Sequence, residues 1–125
     1  MGRTRVVLYR DGDGSCPFLE WFDELPVKVQ DKCFLRLERL KEQGHELRRP
    51  EADFLRDGIY ELRVSFLRSS SPDLIFLPRN TRGVVSHGLV KERAVPPVEI
   101  DRAIERKKRF VTNPRRYTYE EDGNG

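Results

Sequence analysis

Cysteine is scarce in this chain: Cys16 and Cys33 are the only two among 125 residues. Two thiols are too few for a disulfide scaffold and read as buried, reduced side chains. Long apolar runs are missing too. Nothing approaches the roughly 18 apolar residues that cross a bilayer. Met1-Gly2-Arg3-Thr4-Arg5 leads into only four apolar residues, too few for a signal peptide. A cytoplasmic protein is the expectation. The only histidines, His45 and His87, have no second ligand at metal spacing, so no zinc site is expected. Asp11-Gly12-Asp13-Gly14-Ser15 begins like a calcium loop, but the twelfth position would be Phe22 rather than glutamate. No P-loop, GxGxxG, HExxH or CxxC is present, and no internal repeat. No Ser-His-Asp set can be named from spacing alone.

Charge is what the chain has in excess. Charged residues make up 36% and hydrophobic ones 37%, so a core forms only if the apolar residues are periodic. The 24 Lys and Arg against 21 Asp and Glu leave a net charge of +3, compatible with an anionic partner. The length fits one domain.

Arg5-Val6-Val7-Leu8-Tyr9 reads as a first strand, followed by a turn at 11–15. Ser15 is the expected N-cap of a short helix running through Phe18, Leu19, Trp21 and Phe22. Pro26 opens a second helix ending near Gly44. Val29, Cys33, Leu37 and Leu40 form its apolar stripe, widened by Val27 and Phe34, while Leu35 falls on the polar side. After a polar connection from His45 to Glu51 and a turn at Asp57-Gly58, Ile59–Leu67 alternates cleanly. Tyr60, Leu62, Val64 and Phe66 face one way, and Glu61, Arg63 and Ser65 the other. Leu74–Leu77, stopped by Pro78, is a short third strand. Val84–Val90, apolar on both faces, is a central fourth one. Pro96-Pro97 starts a last helix lined by Ile100, Ala103, Ile104 and Val111. Asn113 onward reads as a loose tail. The order β-α-α-β-β-β-α predicts an α+β domain over 1–112, with a flexible tail over 113–125. Its small, mostly antiparallel sheet carries helices on one face and leaves the other open.

The chemistry-bearing feature is a set of basic residues. Arg63 projects from the second strand and Arg68 lies at its end; Arg79 and Arg82 flank the next turn. His87, Lys91 and Arg93 lie on or after the fourth strand. A meander brings several of these together. Guanidinium and ammonium groups suit phosphate and can hold charge that builds on a phosphorane. RNA supplies its own nucleophile, the 2′-hydroxyl, so cations and one proton-transfer group suffice without metal or cofactor. Arg68, Arg82 and Arg93 are candidates for holding RNA phosphate.

Three segments resemble one family. Asp57-Gly58-Ile59-Tyr60-Glu61-Leu62-Arg63-Val64 resembles the "DGIYELR" segment of RelE/HigB-type toxins. Val85-Ser86-His87-Gly88-Leu89-Val90-Lys91-Glu92-Arg93 resembles their "hGhxKK" strand end. Pro96-Pro97-Val98-Glu99-Ile100-Asp101-Arg102-Ala103 resembles the helix that follows. The resemblance, over about residues 3 to 112, implies the RelE/ParE fold and the toxin half of a type II toxin–antitoxin pair. It implies a HigB-like, metal-independent endonuclease that cuts mRNA in the ribosomal A site. Its partners would be ribosome, mRNA and a helix-turn-helix, HigA-like antitoxin encoded downstream. By the same resemblance, Arg63 matches a residue of proton transfer and phosphate stabilisation, Lys91 the residue that binds the scissile phosphate, and His87 the family histidine, catalytic or packed.

The third strand departs from the family. Many relatives carry a Tyr-Arg pair there, where this chain has Ser70-Ser71-Pro72-Asp73. Proline cannot donate to a ladder and aspartate opposes phosphate, so a shortened strand and a missing cation are expected, with Arg68 as the substitute. The base-stacking aromatic of some relatives has no plain counterpart; Tyr117 and Tyr119 qualify if the tail folds back. Alternative readings are a non-catalytic ParE-like gyrase inhibitor, and a decayed toxin that retains only antitoxin binding.

Overall fold

The computed structural model describes residues 4–65, 70–79 and 81–120, with His45 described by its backbone only. Among the described residues there are five strands: β1 (Arg5–Leu8), β2 (Ala52–Arg56), β3 (Ile59–Arg63), β4 (Ser71–Arg79) and β5 (Arg82–Lys91). Three helices accompany them: α1 (Pro17–Phe22), α2 (Val27–Gln43) and α3 (Pro97–Thr112). The sheet runs β1-β5-β4-β3-β2. β1 pairs parallel to β5, and every other pair is antiparallel. The domain is α+β as expected, with a mixed five-stranded sheet.

β2 is the strand that the sequence reading passes over. Asp57-Gly58 is the loop of a tight hairpin that folds β2 onto β3, and both residues have positive φ, 51° and 79°. β4 is longer than expected and runs through Pro72. Pro72 has no N–H to give, but its carbonyl still accepts from the Val64 amide at 3.2 Å. The Val64 carbonyl is filled instead by Arg36, 3.2 Å away. A side chain on α2 thus replaces the ladder donor that proline lacks.

The helices cover both faces, not one. α1 and α2 lay Phe18, Cys33 and Leu40 against Leu62, Leu74, Phe76 and Val85. α3 lays Ile100, Ala103 and Phe110 against Ile59, Ile75, Leu77 and Val84 on the opposite face. The cause lies in β4 and β5, which are apolar on both sides and need cover on both. A one-sided arrangement would leave Ile75, Leu77 and Val84, each fully buried, in water at about 1.5–3 kcal/mol per side chain. Gly88 marks the closest approach. A Cβ there would lie 2.2 Å from the Trp21 ring, so only glycine lets α1 settle on β5.

Local details differ from expectation in instructive ways. Ser15 does not cap α1; its amide and hydroxyl both bond Asp13 Oδ1, at 2.9 and 2.7 Å, and Cys16 takes the cap position. Val27 and Phe34 do not join the core and are 69% and 58% exposed, as the stripe of α2 is too narrow to include them. In the last turns of α3 it is Phe110 that is buried with Ile100 and Ala103, while Val111 is 40% exposed. Cys16 and Cys33 are buried free thiols, as the sequence suggests. Where a loose tail is expected, the chain folds back along β1. Thr118 bridges Tyr9, the Tyr119 amide donates to the Leu8 carbonyl at 2.8 Å, and Tyr117 stacks on Tyr9 with ring centroids 5.8 Å apart. Two tyrosines with an apolar surface to cover outweigh the polar composition around them. Residues 121–125 lie outside the described residues. No described helix is long and apolar enough to cross a membrane.

Candidate functional site

Strand alternation places Ile59, Glu61 and Arg63 on the α3 face of β3. Register brings Asp73 opposite Arg63, and Ser71 opposite Lys91. Just past the hydrocarbon that α3 covers, the same face therefore turns ionic.

Glu61 is the centre of that ionic patch. Its carboxylate accepts from Lys91 Nζ and, at 3.0 Å, from Arg63. Arg63 also donates to the Pro50 carbonyl at 2.8 Å and faces Asp53 at 3.4 Å. Lys91 lies 3.9 Å from Asp73. The patch is enclosed: side-chain exposure is 10% for Lys91, 6% for Glu61 and 0% for Asp73. Burial alone would raise the Glu61 pKa, but its Asp73, Lys91 and Arg63 neighbours outweigh that and hold it below the ordinary value. Asp73 goes the other way. Burial first, and then the Glu61 carboxylate, push it up to about 9. At neutral pH the pair is one ionised and one protonated carboxyl. Asp73 is thus no anion opposing phosphate, as its position in the sequence suggests, but a neutral acid.

His87 stands on the same face, four residues before Lys91. β5 shifts register between Val85 and His87, and this bulge at Ser86 turns neighbouring side chains to one side. Ser86 Oγ lies 2.8 Å from His87 Nδ1, and Arg106 donates to that nitrogen at 3.1 Å. Nδ1 is therefore the acceptor, and Nε2–H donates to Glu99 at 3.0 Å. Burial, then the charge of Arg106, lower the His87 pKa to about 4, so the ring is neutral. Both ring nitrogens are engaged in tying β5 to α3.

The other basic candidates do not converge. Arg82 begins β5, nine residues from Lys91 and roughly 30 Å away at strand rise. Its guanidinium lies over the Phe110 ring, 5.5 Å from the centroid. Arg79 and Arg93 are exposed at the opposite ends of the β4–β5 pair. Arg68 falls outside the described residues. Of the cations singled out from sequence, the structure brings together Arg63 and Lys91. What sequence reasoning missed is the carboxyls between them. Glu61 was legible as the same-face neighbour of Arg63, two residues away; Asp73 enters only through sheet register. Among the described residues no group of three or more His, Cys, Asp or Glu is placed to hold a metal ion.

Residues 20–108 match the family model described as Phage derived protein Gp49-like (DUF891). That span holds β2 to β5 and α2 whole, and with them every residue of the ionic patch. No curated protein matches the chain.

Proposed function

We propose a function from one premise: the chain belongs to the phage-derived Gp49-like family, a toxin-like family related to RelE and ParE and associated with toxin–antitoxin systems. On that premise, residues 1–112 carry a toxin that cleaves mRNA on the ribosome without a metal. A helix-turn-helix, HigA-like antitoxin, encoded downstream, is the partner that restrains it.

The observation that supports this reading is the convergence of Arg63 and Lys91 on one carboxylate. Two cations from different strands already share a single anion. A phosphate makes the same demand and offers more acceptor oxygens. When the RNA 2′-hydroxyl attacks the adjacent phosphorus, the P–O2′ bond forms as its proton passes to water, charge builds on the equatorial oxygens, and the P–O5′ bond breaks as the 5′-oxygen takes a proton from water, leaving a 2′,3′-cyclic phosphate. Arg63 and Lys91 compensate that charge. His87 is given the structural role that its two engaged nitrogens imply.

The test is induction of this gene alone in a bacterium, following growth and mRNA integrity. Growth arrest with ribosome-dependent cleavage is expected. Arg63→Gln and Lys91→Met should each reduce cleavage by about 10²–10³-fold. Full toxicity in both variants would remove the assignment. A second reading, a binding-only protein of the ParE kind or a decayed toxin, is favoured by one observation: Lys91 is nine-tenths enclosed and already paired. Growth arrest with intact mRNA, or no arrest with antitoxin binding retained, would select it.

A further inference from the structure

A cavity lies on the face opposite the ionic patch, between the C-terminal end of α2 and β2. Its volume is about 730 Å³, within the usual range for small-molecule sites. Leu40, Leu47 and Ala52 give it an apolar floor, and Phe54, Tyr60 and Phe76 form one wall. Those three aromatics make a ladder. Phe54 meets Tyr60 edge-on with centroids 5.3 Å apart, and Tyr60 meets Phe76 at 5.7 Å. Phe54 is 53% exposed, an aromatic ring left at the mouth of an apolar hole. Arg48 and Arg49 stand at the same mouth.

The mouth connects to the ionic patch by a chain of ion pairs over the sheet edge. Arg49 bonds Asp53 at 2.9 Å, and Asp53 faces Arg63 at 3.4 Å. Arg63 bonds Glu61 at 3.0 Å, and Glu61 accepts from Lys91. Arg49 is 77% exposed, and an exposed ion pair contributes only about 0–1 kcal/mol, so an arriving phosphate can take it from Asp53 at small cost. A peptide strand is less well served by this edge. The Ala52 amide is taken by the Arg48 carbonyl at 3.1 Å, and the Phe54 amide by the Asp53 carboxylate at 3.0 Å.

We propose that this cavity is a nucleobase subsite: a base of a single-stranded RNA stacks on Phe54 within it, with its phosphate at Arg49. Aromatic platforms combined with a cationic track are how single strands are held without base pairing. The subsite rests on the RNA reading above and deepens it. It supplies a stacking aromatic where Tyr117 and Tyr119 are committed to packing along β1. It also lets RNA run from Arg63 and Lys91, along Arg49, to a base held on the far face.

The experiment is fluorescence anisotropy of labelled hexa-adenylate RNA with the full chain at low salt. Phe54→Ala should weaken binding by about 5- to 140-fold, the loss of one base–aromatic stack. Arg49→Ala should weaken it less and flatten the salt dependence. Phe34→Ala removes a similarly exposed ring on α2, away from the cavity, and should bind as wild type. Circular dichroism establishes that each variant is folded. Equal affinity of folded Phe54→Ala and wild type overturns the subsite, whether or not the protein cuts mRNA. If a labelled peptide of alternating Leu and Glu binds in a Phe54-dependent way and the RNA does not, the subsite is likewise overturned in favour of a protein occupant. Phe54-dependent RNA binding by a protein that leaves mRNA intact on ribosomes upholds the subsite and removes the nuclease reading.

Discussion

The two faces of the sheet answer to different physics. Under α1 and α2 the described core is hydrocarbon around two thiols, Cys16 and Cys33; burial raises both, Cys33 to about 11, so they are unreactive. Under α3 the face is hydrocarbon at Ile59, Ile75 and Val84, ionic at Glu61 and Lys91, and polar but neutral at Asp73. Consecutive residues of one strand, Glu61 and Leu62, therefore belong to opposite regimes. On the first face, substitutions should cost according to volume lost. In the ionic patch they should cost according to charge left unbalanced.

Leu62→Ala should show the largest effect. The side chain is fully buried, and truncation with a residual cavity costs about 3–5 kcal/mol. The loss should be read as a lower denaturant midpoint with an unchanged slope, insensitive to salt and pH. Lys91→Ala comes next, at about 2–3 kcal/mol. That is less than the about 3–5 kcal/mol of a fully unpaired buried charge, because Arg63 still serves Glu61. The sharper measurement is the double variant Lys91→Ala/Glu61→Gln, which should recover most of the loss. If it recovers nothing, the patch behaves like the hydrocarbon face and the contrast is broken.

Asp73→Asn should stabilise the protein. The folded-state pKa of about 9 lies above the ordinary 3.8, so folding at higher pH requires Asp73 to hold a proton that the unfolded chain releases. Stability from this group is complete below about pH 4 and declines as pH rises toward 9. Asparagine keeps the shape without the proton. The variant should gain about 1–2 kcal/mol at pH 8, roughly 3–10 °C in melting temperature, and little at pH 4. A wild-type curve equally flat over that window would contradict the assignment. Leu35→Ser, at a side chain 66% exposed on α2, should change stability by under about 0.5 kcal/mol by the same denaturation measurement.

The hydrocarbon half of this contrast was legible in the sequence. Cys33, Leu37 and Leu40 recur at helical spacing, Tyr60, Leu62 and Val64 alternate, and both signals come from neighbours along the chain. The ionic half was legible only in part. Arg63 and Lys91 were readable as cations on one sheet, but their enclosure depends on partners brought by register, with Asp73 opposite Arg63. The two-sided cover was implied by a fourth strand apolar on both faces, a pattern at odds with an open face. β2 was obscured because its residues, Ala52 to Arg56, do not alternate cleanly, and a register shift between Phe54 and Arg56 interrupts them.

The parallel pairing of β1 with β5 also has a consequence in time. Arg5 meets Arg82, so the first strand made waits for one of the last before it has a partner. Its outer side waits longer, for Tyr117 to Tyr119. A contact spanning so much chain carries a large loop-closure cost and slows folding. The β1 edge is therefore among the last parts of the sheet to close, after the β3-β4-β5 meander that joins Arg63 to Lys91.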